Sequence, residues 1–172
     1  TDAAGSATSY SYSADGNLLG VSRDAGAGPI SNQFVYDVLG RKLQQTDPDT
    51  GTTTFQYNAL GELTAQIDAA GQRIEHEIDA RGRIWRKSVK QANGTVESQT
   101  TFTFDIAQNG TGALAQEAVV GNYSAWAGQV GTELNFIRSL YYDALGRPSG
   151  MFLQVDNQML GSATEYDLLG RP

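Results

Sequence analysis

The sequence predicts an all-β protein, an array of antiparallel β-hairpins, and three observations carry that prediction. Large apolar residues alternate with polar ones, one short segment recurs along the chain, and Gly, Asp and Asn punctuate it at fixed offsets. The 172 residues include 20 Gly and 8 Tyr, and 18% are charged. At 40% hydrophobic residues the chain is not of the disordered, highly charged kind.

The strands are read in order from a period of two. Phe34-Val35-Tyr36, Phe55-Gln56-Tyr57 and Phe102-Thr103-Phe104 place a large ring at every second position. Leu63 to Ile67 alternates in the same way, and Ile74 to Ile78 sets Glu75 and Glu77 against an apolar face. Asn93-Gly94 and Asn109-Gly110 read as two-residue hairpin turns. The stretch from Gly112 to Gly121, with Leu114, Ala115, Glu117, Ala118 and Val119, fits either a short helix or a strand with a wide bulge. Residues 1–172 form one structural unit, with residues 105–135 an irregular insertion or degenerate repeat inside it.

Composition excludes several functions. Twelve Lys and Arg against 19 Asp and Glu give a net charge of −7, the wrong sign for a phosphate-binding surface. There is no Cys and one His, which removes disulfides, thiolate nucleophiles and histidine metal clusters. No apolar run is long enough for a transmembrane helix or a signal-peptide core. The reading therefore carries no cofactor, no nucleic acid and no membrane insertion.

The repeat is explicit. Tyr36-Asp37-Val38-Leu39-Gly40-Arg41 returns as Tyr142-Asp143-Ala144-Leu145-Gly146-Arg147 and as Tyr166-Asp167-Leu168-Leu169-Gly170-Arg171. Variants stand at Tyr12 to Gly16 and at Tyr57-Asn58-Ala59-Leu60-Gly61. Two more, Ile67-Asp68-Ala69-Ala70-Gly71 and Ile78-Asp79-Ala80-Arg81-Gly82, keep the frame with Ile in the aromatic slot. The anchors fall 10, 11, 21 or 24 residues apart, so the unit is one strand and one turn. Physically, the aromatic closes a strand and packs inward, and the Asp or Asn accepts backbone N–H groups as an Asx turn does. Gly supplies positive φ. The Arg opens the next strand with its head in reach of a carboxylate of a neighbouring unit. Each unit buries little alone, so stability comes from stacking on its neighbours.

These segments resemble the tyrosine-aspartate (YD) repeat of the RHS family, which includes bacterial polymorphic toxins, the shell component of insecticidal toxin complexes, and teneurins. The resemblance covers nearly the whole chain and is weakest between Asn109 and Asn135. It implies a spiralling β-sheet that closes into a hollow shell around a toxic C-terminal region. On that footing the chain is an internal piece of a longer secreted or cell-surface protein. Its partners are then the rest of the shell and the enclosed toxin, and it has no catalysis of its own. Asp47-Pro48-Asp49-Thr50-Gly51 begins like the family's DPxGL-type cleavage motif but lacks its frame.

The other candidates each have a plain structural role as their alternative. Asp47 and Asp49 alternate as in the start of a calcium loop, but the rest of that loop is missing and a hairpin turn fits better. His76 lies between Ile74 and Ile78 without an assignable partner and reads as a sheet residue. Asn93, Asn109 and Asn122 begin glycosylation sequons. Trp85 and Trp126 are the candidate ligand contacts for the alternative reading, a carbohydrate- or receptor-binding adhesion module. Unpaired strand edges near Tyr10–Leu19 and Thr164–Gly170 predict edge-to-edge self-association.

Overall fold

A computed structural model describes residues 7–24, 29–122, 133–156, 158–167 and 169–172. Among them there is no helix, and the thirteen strands are antiparallel wherever their pairing is resolved. They are β1 (Thr8–Tyr12), β2 (Leu18–Asp24), β3 (Pro29–Tyr36), β4 (Lys42–Asp47), β5 (Gly51–Tyr57), β6 (Leu63–Ile67) and β7 (Arg73–Ile78). The series continues with β8 (Ile84–Lys90), β9 (Val96–Phe104), β10 (Leu114–Asn122), β11 (Glu133–Tyr142), β12 (Pro148–Val155) and β13 (Gln158–Ala163). By compactness the chain divides into unit 1, Thr1–Ile74, and unit 2, Glu75–Pro172. In each unit the strands lie side by side in chain order.

Unit 1 shows how the period of two works out. Tyr36 faces Lys42, Phe34 faces Gln45, and Phe55 faces Gln66, so the rings share one face. The Lys42 ammonium sits 4.8 Å from the centroid of the Phe34 ring and 5.9 Å from that of Phe55. The opposite face carries amides and hydroxyls. There the Gln44 amide donates to Thr46 at 3.3 Å, and the Thr46 and Thr52 hydroxyls meet at 3.1 Å across the β4–β5 pair.

Unit 2 repeats the division. Phe102 faces Glu117, which pairs with Arg138 at 2.7 Å on the neighbouring strand. On the other face the Gln99 amide donates to Ser88, and the Gln116 amide to Ser139. Tyr141 and Phe152 lie edge to face at 5.7 Å, and the Phe152 ring covers its cross-strand partner Gly161. Among the described residues Ala65, Ser88, Gly110, Ala115 and Gly121 are the buried ones. Cross-strand pairs of half-buried side chains, not a central core, therefore carry the stability.

Residues 114–122 are strand, with the register slipping between Leu114 and Gln116. Of the two local readings, the bulged strand is the one the cross-strand pairing selects.

Candidate functional site

Among the described residues the repeat motif is a single turn built eight times. In the copy at residues 37–41, the Asp37 N–H donates to the Arg41 carbonyl at 2.9 Å and the Gly40 N–H to the Asp37 carbonyl at 3.0 Å. Gly40 has φ +77°, so the turn is a three-residue hairpin loop closed by a glycine in the left-handed region. The same pair of backbone bonds closes 13–17, 58–62, 68–72, 79–83, 91–95, 143–147 and 167–171.

Each motif residue has a defined task. Asp37 Oδ1 accepts the N–H groups of Leu39 and Arg41, both at 2.9 Å, and Asp37 Oδ2 accepts Arg41 Nε–H at 2.6 Å. Asp143 and Asp167 repeat this with Arg147 and Arg171, and Asp79 with Arg83. The Arg41 N–H, ahead of the guanidinium, holds the Asp37 carboxyl below its ordinary pKa. The N–H groups of Arg83 and Arg171 do the same first for Asp79 and Asp167, whereas for Asp143 the Arg147 side chain leads.

The Arg then reaches forward to the next turn at the same end of its unit. The Arg41 guanidinium lies 5.0 Å from the centroid of the Tyr57 ring, and Arg147 lies 4.1 Å from that of Tyr166. The ring answers with its hydroxyl. Tyr57 donates to the Lys42 carbonyl at 2.8 Å, and Tyr166 to the Pro148 carbonyl at 2.7 Å, in each case the residue after the stacking Arg. Tyr142 makes the equivalent bond to the Leu114 carbonyl at 2.7 Å. Guanidinium, ring and hydroxyl form a relay that fixes one turn on another.

The sequence predicts an Arg head in reach of a neighbouring unit's carboxylate. In the copies led by Asp37, Asp143 and Asp167 the head holds the carboxylate of its own turn instead, with Nε–H donating to Oδ2 at 2.6, 2.7 and 2.8 Å. Arg83 does both, binding Asp79 at 2.7 Å and Asp105 at 2.9 Å while lying 4.3 Å from the centroid of the Phe104 ring. Tyr12 departs from the inward packing expected of an anchor and is 60% exposed, since among the described residues β1 has only β2 beside it.

Three features of the motif escaped the sequence. Residues 91–95 are not a two-residue Asn93-Gly94 hairpin but a further repeat turn, with Gln91 in the Asp slot and Gly94 at φ +86°. Asn109-Gly110 is not a two-residue hairpin either. Phe104-Asp105 is an anchor whose turn is enlarged, for Asp105 N–H reaches the carbonyl of Ala113. There Asp105 Oδ1 accepts the Gly112 N–H at 2.6 Å, and the Arg83 side chain is the foremost cause of a lowered Asp105 pKa. The signal was the Phe-Asp pair, hidden by the longer loop. In the third feature, Asn58 and Glu62 replace Asp and Arg with donor and acceptor exchanged, Asn58 Nδ2–H donating to Glu62 Oε2 at 2.6 Å.

The remaining anchors follow the rule with fewer groups. Asp68 Oδ1 takes the N–H groups of Ala70 and Gln72, and Ser13 Oγ takes that of Asn17. Gly16, Gly61, Gly71, Gly82, Gly146 and Gly170 all have positive φ.

The candidates outside the motif are placed as follows. Asp47 Oδ1 accepts the N–H groups of Asp49 and Thr50, which hold its carboxyl below the usual range, with Thr50 first. That is a hairpin turn between β4 and β5, completed by Gly51 at φ +79°. His76 is half-buried on β7. Trp85 is half-buried on β8, with the Arg86 guanidinium 4.2 Å from its ring centroid. Trp126 and most of the Asn122 sequon lie outside the described residues.

An uninterrupted run of antiparallel hairpins in each unit, closed by Asp-anchored turns and fastened by Arg–Tyr stacks, defines a YD-type β-hairpin repeat. Residues 36–73 match the family model described as RHS Repeat, which supports the resemblance read from the sequence. Over 107 residues the chain is 29% identical to Double-stranded DNA deaminase toxin A of Burkholderia cenocepacia (strain H111), covering 49% of this chain and 7% of that protein. A chain in the crystal structure of TcdB2-TccC3-Cdc42 superposes with TM-score 0.74 and 15% identity, covering 95% of this chain and 9% of that one. That second likeness is one of fold. The chain spans less than a tenth of the length of either protein.

Proposed function

We propose that the chain is a non-catalytic wall segment of a YD-repeat shell that encloses a toxic C-terminal cargo in a secreted or surface-displayed protein. The observation that carries this reading is the relay between turns. The 37–41 turn is fixed to the 58–62 turn, and the 143–147 turn to the 167–171 turn, by guanidinium, ring and hydroxyl, so the wall extends by adding repeats and has no need of a central core. The motif carboxylates are committed to backbone N–H groups and to a guanidinium or amide partner, which suits a structural task. The 29% identity to a deaminase toxin supports a toxin context, and the RHS resemblance supports enclosure.

The test is protease protection in the polypeptide that carries these repeats. A segment C-terminal to them should survive a broad-specificity protease while tethered to the intact repeats and be degraded when expressed alone. Equal degradation in both settings would overturn the enclosure.

A further inference from the structure

The sequence holds two Asn-Gly pairs, Asn93-Gly94 and Asn109-Gly110, each followed by Thr, and both lie in unit 2. A glycine after asparagine leaves its backbone nitrogen unhindered, so that nitrogen can approach the asparagine side-chain amide. By sequence the two pairs are equally reactive. Both glycine N–H groups also donate within their own turns, Gly94 to the Gln91 carbonyl at 2.8 Å and Gly110 to the Ala107 carbonyl at 3.0 Å. What separates the pairs is their surroundings.

Residues 91–95 are all exposed, and the space where Gly94 would carry a side chain is open. Asn93 Oδ1 accepts the Thr95 N–H at 2.9 Å. That bond draws the side chain forward along the Gly94 peptide and polarises its carbonyl, as an N–H aimed at a developing oxyanion does. Gly110, by contrast, is buried. A Cβ built on it would lie 2.8 Å from the Tyr142 ring and 3.0 Å from the Ala107 Cβ, and the ring is itself held by its hydroxyl on the Leu114 carbonyl. Attack by the glycine nitrogen requires the Asn-Gly peptide to turn. A solvated hairpin tip allows that by local opening, and a packed glycine resists it.

We infer that Asn93 is a site of spontaneous deamidation and isomerisation, and that the Tyr142 ring over Gly110 protects Asn109 from the same reaction. The Gly94 nitrogen bonds to Asn93 Cγ, the Cγ–Nδ2 bond breaks, and the Gly94 proton leaves with Nδ2 as ammonia by way of solvent. Water then opens the cyclic imide at either carbonyl, giving aspartate or isoaspartate with no change of oxidation state. Aspartate keeps the backbone of the turn. Isoaspartate inserts a methylene into it, which loosens the Gln91–Thr95 closure and the adjoining end of the β8–β9 pair. This assignment does not depend on what the wall encloses.

Peptide mapping by mass spectrometry is the test, after incubation of the full chain in mildly alkaline buffer and with the aspartate and isoaspartate forms separated by chromatography. In the folded chain Asn93 should convert at least about tenfold faster than Asn109, the gap being set by the free energy of exposing Gly110. In urea, where the Tyr142 ring is no longer held over Gly110, the two sites should convert at similar rates. An Asn93 that stays intact in the folded chain overturns the proposal, and so does an Asn109 that converts as fast as Asn93 there. The same ratio of rates in urea as in buffer overturns it too, because the selectivity then comes from local sequence and not from packing.

Discussion

The Arg147 guanidinium lies 4.1 Å from the centroid of the Tyr166 ring, while its Nη2 holds Asp143 Oδ2 at 2.6 Å. One side chain thus closes its own turn and packs against the anchor of the turn at residues 167–171. A lysine offers a point charge and no planar fork, so it cannot serve both contacts together. Arg147→Lys is expected to lower the melting temperature of the chain, although the net charge is unchanged. Thermal unfolding followed by circular dichroism checks it, and an unaltered midpoint would count against the double role.

The turn glycines at positive φ set a second expectation. Gly40 and Gly146 sit at φ +77° and +74°, where a β-branched residue is strained. Gly40→Val and Gly146→Val should each cost about 1–3 kcal/mol. Chemical denaturation measures this, and stability equal to wild type in both would remove the turn assignment.

The exchanged pair at Asn58 and Glu62 offers a cleaner test of the motif logic. Asn58→Asp alone sets two carboxylates at the position of a 2.6 Å hydrogen bond and should destabilise unit 1. Adding Glu62→Arg recreates the pair seen at Asp37 and Arg41 and should restore stability. The two single changes and the double form a cycle in which the interaction is strongly non-additive. An additive result would show that the two side chains do not act on each other.

Acid should loosen the turns. The carboxyls of Asp37, Asp79, Asp105, Asp143 and Asp167 are all held below their ordinary pKa. For a depressed carboxyl the stabilisation is present above the unfolded-state value and is lost as pH falls through the folded one. Stability should therefore hold from neutrality down to about pH 4 and fall below it. Denaturation midpoints across that range read the effect, and replacing Asp37 and Asp143 by Asn should flatten the acid limb.

Much of this was legible in the sequence because the turn is local. Tyr36 to Arg41 and its two near-copies spell out anchor, cap, glycine and guanidinium within six residues, and φ at Gly40 and Gly146 follows. What escaped depends on contacts the chain does not spell out. Gln91 fills the cap slot without a carboxylate, and the turn after Phe104 is enlarged, so neither matched the written pattern. Residues 114–122 have apolar spacing that suits helix or strand, and pairing with β9 and β11 decides between them. The forward stack of Arg on the next ring joins residues 16 to 21 positions apart, and no spacing rule announces it.

Neighbouring turns are energetically coupled through the Arg–Tyr relay. A double-mutant cycle on Arg41 and Tyr57 tests it most directly, using Arg41→Ala, Tyr57→Leu and the pair, with unfolding free energies from urea denaturation. A coupling of about 0.5–1 kcal/mol between the two positions is expected. Strict additivity would contradict it, leaving the repeats as hairpins that share a sheet without holding one another.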